Sequence, residues 1–278
     1  MRAATEQVIL VTGATDGLGR AVATKLAERG ATVLLHGRDE TRLADSLERI
    51  RAEAQNEKLR TYRADFSSLD EVGGMAERIV GDQDRIDVLV NNAGIGTALP
   101  GDGERMESCD GHELRFAVNY LAHFLLTRRL VSLIVSSAPA RIVNVSSAGQ
   151  APIDFDDVML ERAYDGVQAY CQSKLAQIML TFDLAEELRD QSVTVNCLHP
   201  ATYMPTKIVL HARGSAISSL EEGVEATLRL AADAELDGVT GRYFNGQSEA
   251  RAHPQAYDPD ARRRLRELSG RLAGATRR

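Results

Sequence analysis

The chain has little of what marks several large functional classes. It has no basic excess: 33 Lys and Arg stand against 40 Asp and Glu, for a net charge of -7 at pH 7. Phosphate backbones attract basic faces, so nucleic acid is not expected as a partner. The one basic run, Arg262 to Arg264 with Arg266, is flanked by Asp258, Asp260 and Glu267 and reads as a solvated helix face. The three cysteines, Cys109, Cys171 and Cys197, are far apart and form no C-x-x-C pair, which excludes a disulfide framework and a zinc site. The opening MRAATEQ has no apolar leader. No run approaches the roughly 18 apolar residues of a membrane span. A cytoplasmic location with no membrane span is therefore expected. Repeats, low-complexity linkers and breaks in composition are absent too, so residues 1–278 read as one domain.

What is present is an alternation of short apolar runs and longer amphipathic segments. Strands are expected at 8–12, 32–36, 61–64, 87–90, 141–145, 193–198 and 242–244. Helices are expected at 18–29, 40–55, 111–135, 167–189 and 221–233, with a capping box at Ser67 and Ser68 opening one more after the third strand. A helical tail is expected over about 258–278. Strict alternation implies right-handed crossovers and an α/β, doubly wound, mostly seven-stranded parallel sheet with helices on both faces. Ligands of such sheets bind outside the carboxyl ends of the strands.

The first of those ends carries Gly13, Gly17 and Gly19 in TGATDGLG, between a strand and a helix. A helix start offers unpaired N–H groups and a positive dipole end, which suits a pyrophosphate. The second strand ends His36-Gly37-Arg38-Asp39. Gly37 falls where an acidic residue would hold a ribose 2′-OH, whereas Arg38 is placed to pair with a 2′-phosphate. That favours NADP over NAD, with Asp39 and Asp16 as the opposing signs. Further on, Tyr170 and Lys174 are four apart in a helical segment and share a face. An ammonium beside a phenol lowers the phenol's pKa and makes it a workable acid or base.

These motifs together resemble the short-chain dehydrogenase/reductase family in its single-domain, Rossmann-like form. The resemblance rests on the glycine loop; Asp65 after the third strand; Asn91-Asn92-Ala93-Gly94 after the fourth; Asn119; Ser146-Ser147; Tyr170 with Lys174; and Leu198-His199-Pro200. It covers about residues 8 to 250, and it implies roles. Tyr170 exchanges a proton with a carbonyl or alcohol oxygen, Lys174 lowers its pKa and holds the nicotinamide ribose, Ser147 bonds the substrate oxygen, and Asn119 holds a relay water. Gly13, Thr15, Asp16, Gly17, Leu18, Gly19, Arg38, Asp65, Phe66, Asn92, Ala93, Gly94, Pro200 and Thr202 are then expected to join Tyr170 and Lys174 in binding the cofactor. Asp65 would contact the adenine amine, and Asn91 and Ala93 would flank the adenosine ribose.

Two departures refine the resemblance. The usual Pro-Gly after the sixth strand is Pro200-Ala201, opening a substrate-loop region over about 200–225 in which Thr202 or Thr206 could meet the nicotinamide amide. The segment between Ser147 and Tyr170 is long, as in the retinol dehydrogenase and WW-domain oxidoreductase branch. That branch implies NADP(H) and a lipophilic carbonyl or alcohol substrate, and Phe155, Met159, Tyr164 and Tyr203 would wall its pocket. The apolar faces of the helices around Asn119 and Lys174 imply a homodimer or homotetramer built on a four-helix interface. An epimerase, dehydratase or imine reductase, or a non-catalytic NADP-binding regulator, are the alternatives to simple carbonyl–alcohol redox chemistry.

Overall fold

The computed structural model describes residues 1–98 and 104–274. The end of the tail, 275–278, lies outside the described residues. Eight strands form one sheet in the order β3-β2-β1-β4-β5-β6-β7-β8. These are β1 (Val8–Val11), β2 (Thr32–Gly37), β3 (Leu59–Arg63), β4 (Val88–Asn91), β5 (Ala140–Val145), β6 (Val193–His199), β7 (Tyr243–Asn245) and β8 (Ser248–Ala250). All pairs are parallel except β7 with β8. The eighth strand was not anticipated, because a three-residue Ser-Glu-Ala run carries no apolar alternation. It exists as the return arm of a hairpin from β7.

The inner strands are continuous apolar runs because both faces of the sheet are covered. On one side α1 (Gly17–Glu28), α2 (Glu40–Ala54) and, later in the chain, α8 (Leu220–Ala232) share a core with Ile9, Val11 and Val33. On the other lie α3 (Leu69–Asp82) and a continuous helical run of α4 (Leu114–Phe116), a π turn (Ala117–Leu121) and α5 (Ala122–Ser136), followed by α6 (Gly166–Glu187). By length and mean hydropathy (1.2 over its most apolar window) Leu114–Ser136 is long and apolar enough to cross a membrane, contrary to the expectation that no stretch would be. It serves here as a core helix, with 67% of that window buried inside the fold. The chain order reverses between β1 and β4, which places a topological switch point at the carboxyl ends of those two strands.

Caps fix the helix starts. Ser68 caps α3 by accepting from Glu71 N, but the Glu71 carboxylate turns to Asp65 N, so the expected box is half formed. The complete box is at Ser219 and Glu222, where α8 begins. The short α7 (Lys207–Arg213) buries none of its residues.

The last helix, α9 (Pro259–Leu272), packs on the same side of the sheet as α6. It lies against α6 and the π turn: Ser269 Oγ bonds Tyr120 Oη at 2.7 Å, Arg266 pairs with Asp183 at 2.6 Å, and Arg262 pairs with Glu186 at 2.9 Å. Leu265 is buried beneath it, and Tyr257 meets Phe182 just before it begins. The chain's own C-terminal helix thus covers part of the outer face of α6 and of the π turn. The basic run read as a solvated face supplies that helix's ion pairs.

Candidate active site

The glycine spacing has a steric cause. Gly13 sits at φ +68° and Gly17 at +49°, where a side chain is strained. A Cβ on Gly13 would also come within 2.9 Å of Ala93 Cα, and a Cβ on Gly19 would overlap the Gly13 carbonyl. The loop therefore folds back on its own helix while pressing on the segment after β4. Asp16 caps α1 by accepting from Gly17 N, so Leu18 and Gly19 begin the helix buried.

Thr12, which sequence reasoning left out of the site, joins the two strand ends. Its Oγ1 accepts from Asn92 N at 2.8 Å and Ala93 N at 2.9 Å, while Asn92 Nδ2 donates to the Thr12 carbonyl at 2.8 Å. His36 is the matching clamp on β2: its Nδ1 accepts from Gly13 N at 3.1 Å and its Nε2 meets the Ala64 carbonyl at 3.0 Å. Burial pushes its pKa down to about 4, which keeps the ring neutral and able to accept. The available signal for both was a polar residue closing an otherwise apolar strand.

The rim of the cofactor groove also has a steric explanation. A Cβ on Gly37 would overlap the Thr15 methyl, so the position expected to hold an acidic residue cannot carry one without moving Thr15. Arg38 beside it is exposed. Both opposing acids are engaged elsewhere. Asp39 caps α2 by accepting from Arg42 N, and Asp16 pairs with Arg42 at 3.1 Å and Lys207 at 2.8 Å. Burial raises the Asp16 pKa, but the Lys207 and Gly17 N–H hydrogen bonds outweigh it and the net shift is downward.

The other residues expected at the cofactor lie after β3, β4 and β6. Asp65 accepts from Ser67 N in a tight turn, and the Phe66 ring is stacked inside against His36 with centroids 4.1 Å apart. Asn91 points inward to Thr127 and Asn144, so its side chain belongs to the core and not to a ribose site. Pro200 is buried, and Thr202 is exposed with its hydroxyl 3.1 Å from His199 Nε2. Thr206 is the threonine that reaches the glycine loop, its methyl 3.2 Å from where a Cβ on Gly17 would lie.

The reacting groups meet at the ends of β4 and β5. Ser146 Oγ donates to the Lys174 carbonyl at 2.8 Å and ties α6 to β5. Ser147 Oγ accepts from Gly149 N at 3.1 Å, and the hydroxyl, beside Tyr170, works to lower the phenol's pKa. Burial outweighs this and raises the Tyr170 pKa. Lys174 Nζ lies 5.8 Å from the Tyr170 ring centroid and donates to the Val145 carbonyl at 3.0 Å and to Gln177 Oε1 at 2.9 Å. Burial pushes its pKa down to about 7. Desolvation is the largest influence on both groups, and Tyr170 in the free protein holds its proton at neutral pH. Asn119 sits in the π turn, a rare helix irregularity. Its Oδ1 accepts from Ile95 N at 2.8 Å, and its Nδ2 donates to the Ile95 carbonyl at 3.2 Å and to Ser173 Oγ at 3.0 Å. Its amide thus holds the loop after β4 in place. A Cβ on Gly94 would lie 3.1 Å from Asn119 Oδ1 and 3.6 Å from Lys174 Nζ, so Gly94 leaves the approach to both open.

Phe155, Met159, Tyr164 and Tyr203, the residues expected to wall a pocket, each contact a charged residue. Arg264 of α9 stacks on the Phe155 ring at 4.5 Å. Tyr164 Oη donates to Glu113 and accepts from Arg115, both buried. Met159 Sδ meets Glu113 N. Tyr203 is exposed beneath Arg213. Between the substrate loop and β7 lies a cavity of about 300 Å³ lined by Pro200, Thr202, Glu222 and Asn245.

A glycine-loop groove at a switch point, with a serine, a tyrosine and a lysine at its inner end, defines a dinucleotide-dependent oxidoreductase. The model of the short chain dehydrogenase family matches residues 7–213, and the chain belongs to that family. Similar proteins include "Retinol dehydrogenase 13" of Mus musculus, 37% identical over 96% of this chain and 84% of that one. "Retinol dehydrogenase 14" of Homo sapiens is 35% identical over 96% and 86%. Among solved structures, an uncharacterized protein from Mycobacterium paratuberculosis shares the fold, with a TM-score of 0.77 and 24% identity over 97% of this chain and 94% of that one. A short chain dehydrogenase from Shigella flexneri 2a complexed with NADP has a TM-score of 0.70 and 26% identity over 87% and 97%.

Proposed function

We propose that the protein is an NADP(H)-dependent oxidoreductase that interconverts a lipophilic carbonyl compound and its alcohol, with reduction as the chemically favoured direction at neutral pH. The carrying observation is that Ser147 Oγ and the Tyr170 ring both border Gly149, within 3.5 and 3.8 Å of where its Cβ would lie, with Lys174 buried behind them. The residues fit the cofactor: Gly13, Gly17 and Gly94 leave cradles that a Cβ would fill, and Arg38 is exposed beside a Gly37 that admits no acid. When bound, the nicotinamide supplies or accepts the hydride. The chain's own groups do the rest. Tyr170 keeps its proton and donates it to the carbonyl oxygen. Ser147 donates a hydrogen bond to the same oxygen and stabilises the charge developing there. Lys174 holds positive charge behind the phenol as its proton leaves. A lipophilic substrate is supported by the names of the relatives and by the exposed Tyr203, Ile208, Leu210 and Ile217 on and beside α7.

The test is NADPH and NADH oxidation against a panel of aliphatic, aromatic and polyene aldehydes. Stoichiometric loss of NADPH with alcohol formed, faster than with NADH, is the expected result. Binding of NADPH without turnover of any carbonyl would overturn it. For the free enzyme the reductive kcat/KM is expected to hold below about pH 7 and to fall above it as Lys174 loses its charge.

A further inference from the structure

Behind the reacting groups runs a line of buried polar side chains. Gln177 lies one turn after Lys174 on α6 and is fully buried. Its Oε1 accepts from Lys174 Nζ at 2.9 Å, and its Nε2 faces His123 Nδ1 at 3.3 Å. His123 Nε2 in turn faces Thr12 Oγ1 at 3.3 Å, the atom that receives the N–H groups of Asn92 and Ala93. Side chains from α6, α5 and the end of β1 therefore connect the lysine to the floor of the cofactor groove.

An ammonium has donors only, so Lys174 fixes which end of the Gln177 amide it meets. The oxygen goes to the lysine and the nitrogen is aimed at His123. Burial holds His123 neutral, its pKa pushed down to about 3. A neutral ring has one donor and one acceptor nitrogen, and Nδ1 also meets the Asn119 carbonyl at 2.9 Å. Nδ1 can serve only one of these two contacts, and the shorter, 2.9 Å, has its N–H donating to the Asn119 carbonyl, so Lys174 alone fixes the orientation of the Gln177 amide. Of the two acceptors that hold Nζ, the Val145 carbonyl is backbone, and Gln177 is the only one a substitution can remove.

We propose that Gln177 is a positioning residue for Lys174: its amide oxygen holds the ammonium beside Tyr170 and sets how readily it gives up its proton. The inference rests on reading Tyr170 and Lys174 as the catalytic pair. The titratable groups beside Lys174 are Tyr170 from its own helix and His123 from α5; β5 offers the Val145 carbonyl and Ser147, and burial is the sole cause of the lysine's shift, with no carboxylate contributing. The amide oxygen therefore acts without a competing charge.

The experiment compares the full chain with Gln177→Glu and Gln177→Leu. The chain has four lysines, Lys25, Lys58, Lys174 and Lys207, so ¹⁵N-lysine labelling gives few side-chain resonances to follow with pH. Gln177→Glu places a carboxylate on Nζ and is expected to raise the Lys174 midpoint by about one pH unit or more. The alkaline limb of the reductive kcat/KM should move up with it. Gln177→Leu is expected to lower both midpoints and to reduce kcat about tenfold while KM stays within about twofold, as a loss confined to the transition state does. If Lys174 titrates alike in all three proteins, the proposal is overturned. The same holds if kcat falls only in step with thermal stability while the limb stays put. Should Gln177→Leu fail to fold, the near-isosteric Gln177→Glu decides alone. Should the wild type turn over no carbonyl, the proposed function falls, and the lysine titration still decides the role of Gln177.

Discussion

The two sides of the groove are built by opposite means. The floor, from β1 and β4, is knit by hydrogen bonds among Thr12, Gly13, His36, Asn92 and Ala93, and its glycines leave no spare volume. The opposite wall, from Pro200 through α7, buries almost nothing of its own. It meets the floor through the Asp16–Lys207 ion pair, the Thr206 methyl over Gly17, and Ile208 against Gly96, with Pro200 buried at its start and Met204 tucked against Gly223. A cofactor is a fixed shape and suits a rigid floor. A lid built of exposed apolar side chains and one surface ion pair opens at low cost, and such segments carry substrate choice.

Substitutions on the two sides should therefore differ in kind as well as in size. The largest effect is expected from Tyr170→Phe, which removes the proton donor and should lower kcat by about 10²–10⁴ with NADPH affinity retained. Steady-state rates beside a fluorescence titration with NADPH check both halves. Next is Gly19→Ala on the floor, whose Cβ has nowhere to go except into the Gly13 carbonyl. NADPH Kd should rise about a hundredfold or more, and calorimetric titration reads it. A smaller effect is expected at the rim: Arg38→Ala should lower the NADPH-to-NADH preference by roughly tenfold, the value of a charge-assisted hydrogen bond of about 1.5–3 kcal/mol less its exposure to solvent. The smallest belongs to the lid. Lys207→Ala breaks an exposed pair and should change KM for the carbonyl only a few-fold, with cofactor Kd and thermal midpoint nearly unmoved. If Lys207→Ala were to weaken NADPH as much as Gly19→Ala does, the contrast between floor and lid would be wrong.

The same contrast explains what could be read from the sequence. Strands β1 to β6, the glycine loop and the Tyr170–Lys174 pair are local signals: an apolar run, a spacing, a shared helix face. Thr12, His36, His123 and Gln177 escaped because each is an isolated polar residue on an apolar element, and only packing shows that four such residues are partners. Asn119 was found, but its role depended on Ile95, 24 positions away in the chain. The lid was harder to read for the reverse reason: Tyr203 looks like a pocket residue by its place in the sequence, yet it is exposed and lies against Arg213. The covering of α6 by α9 was hidden because Arg262 and Arg266 look solvated until Asp183 and Glu186 are brought against them.

That last helix has a consequence for how the enzyme would behave in dilute solution. A face closed by a neighbouring chain empties as concentration falls, because association is a mass-action equilibrium. A face closed by a segment of the same chain does not. Specific activity is therefore expected to stay constant from nanomolar to micromolar protein, and light scattering should report a single 30.3 kDa species across that range. Arg262→Glu with Arg266→Glu, which sets like charges against Asp183 and Glu186, should bring concentration dependence back.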